Sequence, residues 1–292
     1  LNDAGNDRDV SERFSQLLTA IRASHDPQDM TDRIRDALDR RTERLSDGGA
    51  VFIEGSFAVD DVLYESGTTQ ILRVTQRDLG DCFAIKTMPP GKRDDQLLAQ
   101  RLRREAKIGL GLRHPAVQET SALLRLRDGR PGLLQPWAPV SLASLLKTRN
   151  LRPEEILGLL HTILQALSFL HGAGYVHCDV TAGNIMMPEE DLAKARLGDF
   201  GITLRTGERH RDLGLAIAGS PEFSAPEQLA GAPAHPVQDI YAVGRLATRL
   251  MADQRSDNCP VLTVFRDTCT HENAAQRPQS ADEALNLLND DR

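Results

Sequence analysis

Aromatic residues are scarce in this 292-residue chain, which has one Trp, three Tyr and eight Phe. Any core must therefore be aliphatic, and with 40% hydrophobic residues there is material for a sizeable one. Cysteine is scarce too. Cys82, Cys178, Cys259 and Cys269 lie too far apart in sequence for a zinc motif or a disulfide scaffold, which points to a reducing compartment. No stretch approaches the roughly 18 apolar residues of a membrane span, and no leader peptide is recognisable. This segment is therefore expected to be cytoplasmic and to make no membrane contact. Because it begins at Leu1 without a Met, an anchor elsewhere in a longer protein remains compatible with it. Positive charge is also in deficit. A net charge of −7 argues against a general affinity for nucleic acid or acidic membranes, either of which needs a basic face. The basic residues are mostly Arg; Lys occurs only at 86, 92, 107, 147 and 194, so a lysine with a special task stands out.

The first 47 residues are highly charged and carry apolar residues at helical spacing. Phe14, Leu17, Leu18 and Ile21 form one stripe, and Met30, Ile34, Leu38 and Leu45 a looser second one. Asp26-Pro27 between them reads as a helix start. Two helices are expected, packed on the following domain or on each other, with a partner-binding role as the alternative. From Gly48 the pattern turns β-rich, with short runs at Val51–Ile53, Val62–Tyr64, Ile71–Val74 and Cys82–Lys86. A charged helix is expected over Asp94–Leu112, then a strand pair joined by Asp128-Gly129-Arg130. After Pro153 the chain reads as mainly helical. The expectation is an α+β fold in three parts: a helical extension over 1–47, a small β-rich lobe over 48–137 and a larger helical lobe over 138–292. Two such lobes imply a cleft between them.

Five short motifs occur in order across these lobes. They are Phe83-Ala84-Ile85-Lys86; Glu105 in a helix, followed by His114-Pro115; His177-Cys178-Asp179 with Asn184 five residues on; Gly198-Asp199-Phe200-Gly201; and Gly219-Ser220-Pro221-Glu222-Phe223-Ser224-Ala225-Pro226-Glu227, with Asp239 and Arg277 beyond it. Each alone has an ordinary reading. A strand ending in Lys is usually a solvated edge, a Glu among arginines a surface ion pair, and Asp-Phe-Gly a common turn. Together, over roughly Val51 to Leu288, they resemble the eukaryotic-type (Hanks-type) protein kinase domain, and within it the bacterial serine/threonine kinases. That resemblance implies ATP and Mg²⁺ as cofactors and a protein as substrate. Lys86 would hold the nucleotide α- and β-phosphates and pair with Glu105. Asp179 would take or orient the proton of the substrate hydroxyl, and Asn184 and Asp199 would bind metal. Glu227 and Arg277 would form a structural ion pair, and Asp239 would hold the catalytic-loop backbone. On the nucleotide side, Leu134 is expected as the gatekeeper, with Gln135 and Trp137 giving the hinge its carbonyl and amide, because Pro136 has no N–H.

Four positions depart from the family pattern. The loop meant to cover the phosphates has Tyr64, Ser66 and Thr69 at the usual glycine positions and retains only Gly67. Either its side chains keep the loop off the phosphates, or Ser66 and its neighbours donate hydroxyls to them. Cys178 replaces the arginine that receives an activation-loop phosphate, so activity is expected not to depend on phosphorylation of Thr203 or Thr206. Thr181 replaces a lysine that steadies the transferred phosphate. Gly109 stands where a bulky side chain would stack on Phe200, a gap the N-terminal helices are candidates to compensate. The leading expectation is a serine/threonine protein kinase. The alternatives are a pseudokinase that binds nucleotide or acts as a scaffold, and a small-molecule kinase, which Ala225-Pro226-Glu227, Asp239 and Arg277 disfavour.

Overall fold

The computed structural model describes residues 52–53, 56–189, 191–214, 219–252 and 259–289. The two helices expected over residues 1–47 lie outside them.

The smaller lobe is one antiparallel sheet in the order β1-β2-β3-β4-β6-β5. Its strands are β1 (Phe52–Ile53), β2 (Phe57–Glu65), β3 (Gln70–Gln76), β4 (Cys82–Thr87), β5 (Ala122–Arg125) and β6 (Pro131–Pro136). Strand alternation gives the sheet two apolar faces. Leu72, Val74, Ile85, Leu126 and Leu134 cluster on one. On the other, Met88 and Leu133 pack against Ala99, Leu102 and Ala106 of helix α1 (Gln96–Gly111). Asp95 starts α1 by accepting from the amides of Leu97 and Leu98, both at 3.1 Å, so two orphan donors of the first turn are satisfied.

The larger lobe holds α2 (Leu142–Leu145), α3 (Pro153–Gly172), α4 (Pro226–Leu229), α5 (Pro236–Leu250), α6 (Pro260–Cys269) and α7 (Ala281–Asn289). Pro at the first position of α3 and α5 suits a site whose N–H has no helical partner. Helix α3 buries Ile156, Leu159, Leu160, Ile163, Leu164, Leu167 and Leu170 in the core it shares with α5 and α7. Each such side chain contributes about 1.5–3 kcal/mol, which is how a core poor in aromatic rings is sustained. Short strands line the junction of the lobes: β7 (Val140–Ser141), β8 (Tyr175–Val176), β9 (Ile185–Met187), β10 (Arg196–Leu197) and β11 (Leu204–Arg205). The β9–β10 hairpin and the β8–β11 pair carry the loops that hold Asp179, Asn184 and Asp199. Among the described residues no helix is long and apolar enough to cross a membrane.

Candidate active site

Strand β4 delivers Lys86 into the interlobe cleft, where its ammonium meets two carboxylates at once. Lys86 Nζ lies 2.9 Å from Glu105 Oε1 on α1 and 2.7 Å from Asp199 Oδ1 in the loop after β10. Burial opposes the Lys86 ammonium, yet the two neighbouring carboxylates outweigh it and raise its pKa. One cation cannot neutralise two anions, and the more deeply buried carboxylate yields. Burial pushes Glu105 up to about 7 despite Lys86, and the Asp199 charge adds to the effect. Burial acts on Asp199 in the same sense, but the charge and hydrogen bond of Lys86 and the Gly201 amide hold its carboxyl below the usual range. Gly201 fits because it has no Cβ: an added one would stand 3.1 Å from Asp199 Oδ1 and 3.3 Å from Glu105 Oε2. Asp199 itself sits at φ +64°, the left-handed region that a side chain rarely adopts.

The catalytic loop between β8 and β9 is organised from beneath by Asp239 of α5. Its carboxylate accepts from the His177 and Cys178 amides, both at 2.8 Å, and contacts His171 Nε2 at 2.9 Å. Burial disfavours the ionised form, but His171 and these amides hold Asp239 below the usual carboxylate range. This anchoring lets Cys178 take φ +69° and presents Asp179 to the cleft. Asn184 donates its amide nitrogen to Asp179 O at 2.8 Å and Asp179 Oδ2 at 2.9 Å. From the segment after β11, Ser220 gives its amide (3.2 Å) and hydroxyl (3.0 Å) to Asp179 Oδ1. Of about four acceptor positions on a carboxylate, three are filled, by Asn184 once and Ser220 twice, and one is left for an incoming hydroxyl. His177 packs within the loop: its Nδ1 accepts from Asp179 N at 3.2 Å, its Nε2 meets Gly198 O at 2.9 Å, and its ring packs edge-on against Phe200. The Cys178 thiol is buried, and burial followed by the Asp239 charge pushes its pKa well up, so it is an inert packing residue. Arg277 binds Glu227 through both terminal nitrogens, at 2.7 and 3.1 Å.

The donor set suits Mg²⁺. Asp199 uses Oδ1 for Lys86 and Gly201, and Asn184 uses its nitrogen for Asp179, so Asp199 Oδ2 and Asn184 Oδ1 are left as hard oxygen donors. The bond from Gly198 N to Asn184 O, 2.8 Å, keeps these two loops side by side. Among the described residues no group of three or more His, Cys, Asp or Glu could cage a metal.

Two expectations on the nucleotide side change. In the β4–β6 ladder Lys86 faces Leu133, Ile85 faces Leu134 and Ala84 faces Gln135. Directly opposed residues share a sheet face. Leu134 therefore lies with Ile85 in the cluster on the face away from Lys86, and it is not the gatekeeper. Gln135 shares the face of Lys86 and Ala84, one residue after the position expected for the gatekeeper. Trp137 follows β6 directly, beside Pro136, whose carbonyl accepts from Gln118 Nε2 at 3.1 Å. Gln118 was not anticipated, because a Gln after a His-Pro motif carries no sequence signal.

The second change concerns the phosphate loop. Between β2 and β3, residues 66–69 close on themselves, with the Ser66 amide bonded to Thr69 O at 2.8 Å. Ser66 Oγ accepts from Thr69 N at 3.1 Å and Thr68 N at 3.4 Å, and donates to Thr69 O at 3.3 Å. The amides that a glycine loop would aim at phosphate, and the Ser66 hydroxyl itself, are thus engaged within the turn. Gly67 has open space around a notional Cβ and no left-handed φ, so nothing in this turn requires its glycine.

The gap expected at Gly109 is filled. A Cβ there would lie 3.0 Å from Thr120 Cβ and closer still to its hydroxyl, with Phe200 Cδ2 at 3.6 Å. Thr120, fully buried, occupies the space, and its hydroxyl finds no hydrogen-bond partner. The side chain beside Gly109 thus comes from outside α1.

Comparison with known proteins agrees with this geometry. Residues 61–285 match the family model described as "Protein kinase domain". The chain is 30% identical over 204 residues to a probable serine/threonine-protein kinase of Streptomyces coelicolor, covering 68% of this chain and 30% of that protein. It is 32% identical over 197 residues to serine/threonine-protein kinase PknK of Mycobacterium tuberculosis, covering 67% of this chain and 17% of that protein. Serine/threonine-protein kinase pkn3 of Myxococcus xanthus is 27% identical over 205 residues, 67% of this chain and 37% of the relative. The chain therefore spans well under half the length of these relatives. With the family model covering most of its length and the five motifs gathered around one cleft, the chain belongs to the protein kinase domain family.

Proposed function

We propose that this domain is a serine/threonine protein kinase that transfers the γ-phosphoryl group of ATP to a hydroxyl of a protein substrate, on the cytoplasmic side where ATP is available. The observation that carries the reading is the simultaneous contact of Lys86 with Glu105 and Asp199. It brings a strand, a helix and a loop into the one arrangement in which a cation is ready for phosphate and a carboxylate for metal. Lys86 binds the α- and β-phosphates, and Glu105 fixes its ammonium. Asp199 and Asn184 hold Mg²⁺, which when bound offsets the negative charge of the phosphates. Gln135 and the backbone beside Trp137 border the base. The substrate oxygen attacks the γ-phosphorus as the bond to the β-γ bridging oxygen breaks, leaving ADP. Asp179 orients the hydroxyl and accepts its proton through its remaining acceptor position. Serine/threonine selectivity is supported by the names of the relatives and by Ser220 against Asp179. Activity is independent of activation-segment phosphorylation: Thr203 is buried with its hydroxyl donating to His177 O at 3.2 Å, and Cys178 offers no cation to a phosphate.

The self-closed turn at Ser66 favours a second reading, a module that holds nucleotide but turns over slowly. Incubation of the chain with labelled ATP, Mg²⁺ and a generic basic protein separates the two. The kinase reading expects label that Asp179→Asn abolishes and Thr206→Ala leaves unchanged. Nucleotide-induced thermal stabilisation without label would instead establish the binding module.

A further inference from the structure

A polar bridge joins α1 to the segment after β11. Arg104 immediately precedes Glu105, and its guanidinium donates to the Thr203 carbonyl and, at 3.1 Å, to Glu208 Oε2. The carboxylate is also held within its own turn, since Glu208 Oε2 accepts from Arg205 N at 2.8 Å, and Glu208 N bonds Arg205 O at 3.0 Å. The turn is in turn fixed to the helical lobe: Ala234 N meets Glu208 O and Gly207 N meets Ala234 O, both at 2.8 Å. One helical turn earlier, Arg101 reaches Gly214 O at 3.4 Å. Helix α1 is thereby joined to a point on the larger lobe that does not depend on nucleotide.

We propose that Arg104 and Glu208 are positioning residues that keep α1, and with it Glu105, in register with Lys86, Glu208 supplying the fixed negative charge that a phosphate would otherwise bring. The proposal rests on the kinase reading and deepens its regulation. Two observations give the bridge its importance. Inside the cleft, Gly109 presents no side chain to Phe200 and the space is filled by Thr120 from outside the helix, so α1 itself adds no side chain to the stack at that point. In the catalytic loop, Cys178 leaves no cation to gather a phosphorylated segment. The only ion pair among the described residues that joins α1 to the segment following Phe200, apart from those at Lys86, is Arg104–Glu208. A carboxylate already bound to its own turn needs little further ordering to receive the guanidinium, which favours a standing link over a switched one.

The test uses the full chain and two readouts, hydrogen exchange of the α1 amides over Gln96–Gly111 and steady-state phosphate transfer. Glu208→Gln keeps an oxygen for Arg205 N and removes only the charge. It is expected to speed α1 exchange and lower kcat by about fivefold or more, the lower end of a typical coupling between sites. The exchanged pair Arg104→Glu/Glu208→Arg is expected to recover part of both. Asp212→Ala is the control, because that carboxylate caps Arg209 N in the same segment at 3.2 Å without bonding α1. Unchanged α1 exchange in Glu208→Gln, or equal changes in Asp212→Ala, would overturn the proposal. Should the wild type transfer no phosphate while Glu208→Gln still loosens α1, the bridge stands and the kinase reading falls.

Discussion

At the scale of single residues, the informative group is Glu105, because it shares one lysine with a second carboxylate and is the more buried of the two. Its pKa of about 7 lies above the ordinary 4.5. Below the ordinary value both folded and unfolded chains hold the proton, and pH has no leverage. Between the two values the folded chain keeps a proton that the unfolded chain has released, so this group's contribution to stability falls as pH rises through the window. Thermal unfolding of the nucleotide-free chain from pH 5 to pH 8 should therefore show wild type losing ground to Glu105→Gln as pH increases. A difference between the two that stays flat with pH would contradict the assignment. The convergence of Lys86, Glu105, Asp179, Asn184 and Asp199 on one cleft was legible in the sequence because each sits in a short motif whose spacing fixes its neighbours. The orphan hydroxyl of Thr120 was not, since it follows from a contact between residues on different elements.

At the scale of elements, α1 carries the sharpest conflict between local and tertiary preference. A glycine inside a helix normally costs about 1 kcal/mol relative to alanine, so Gly109→Ala ought to stabilise. Here the new Cβ would collide with a buried, β-branched Thr120. Overpacking of this kind costs about 1–3 kcal/mol, and we expect net destabilisation. Adding Thr120→Ala should return the double variant above Gly109→Ala alone in chemical denaturation, a non-additivity that only contacting residues produce. If the single variant proves more stable than wild type, the packing account of Gly109 is wrong. Strand β6 shows a different limit of sequence reading. Its existence was plain from composition, but the face each residue presents depends on register, and a shift of one residue moves every side chain to the other face. That is why Leu134 falls opposite Ile85, on the face away from Lys86, and Gln135 opposite Ala84 on the face of Lys86.

For the whole molecule, the two-lobed α+β architecture was readable because strand-like periods predominate from Gly48 and helical ones after Pro153. What joins the lobes was much less so, because Arg104 and Glu208 lie far apart in sequence and pair only after folding. Asp239 is the deepest of the long-range anchors, and removing it strands two backbone amides and His171. Asp239→Ala is expected to lower stability by about 3 kcal/mol or more, since each buried unpaired group costs about 1–3 kcal/mol. It should also reduce kcat more than it raises the KM for ATP, because it displaces Asp179 and not Lys86. Unfolding curves together with kinetics decide this, and wild-type stability would count against the anchoring role.

The segment after Phe200 meets three consecutive catalytic-loop residues at three separate places: Thr203 at His177 O, Gln228 at Cys178 O and Ser220 at Asp179. In polymer terms, one long excursion of chain has been divided into shorter loops that share a common base. Loop-closure entropy grows only slowly with length, so releasing any single tie returns little freedom while its neighbours remain closed. The segment is therefore built to open as a sequence of small releases, each reversible on its own, and complete detachment requires all three ties to be broken together.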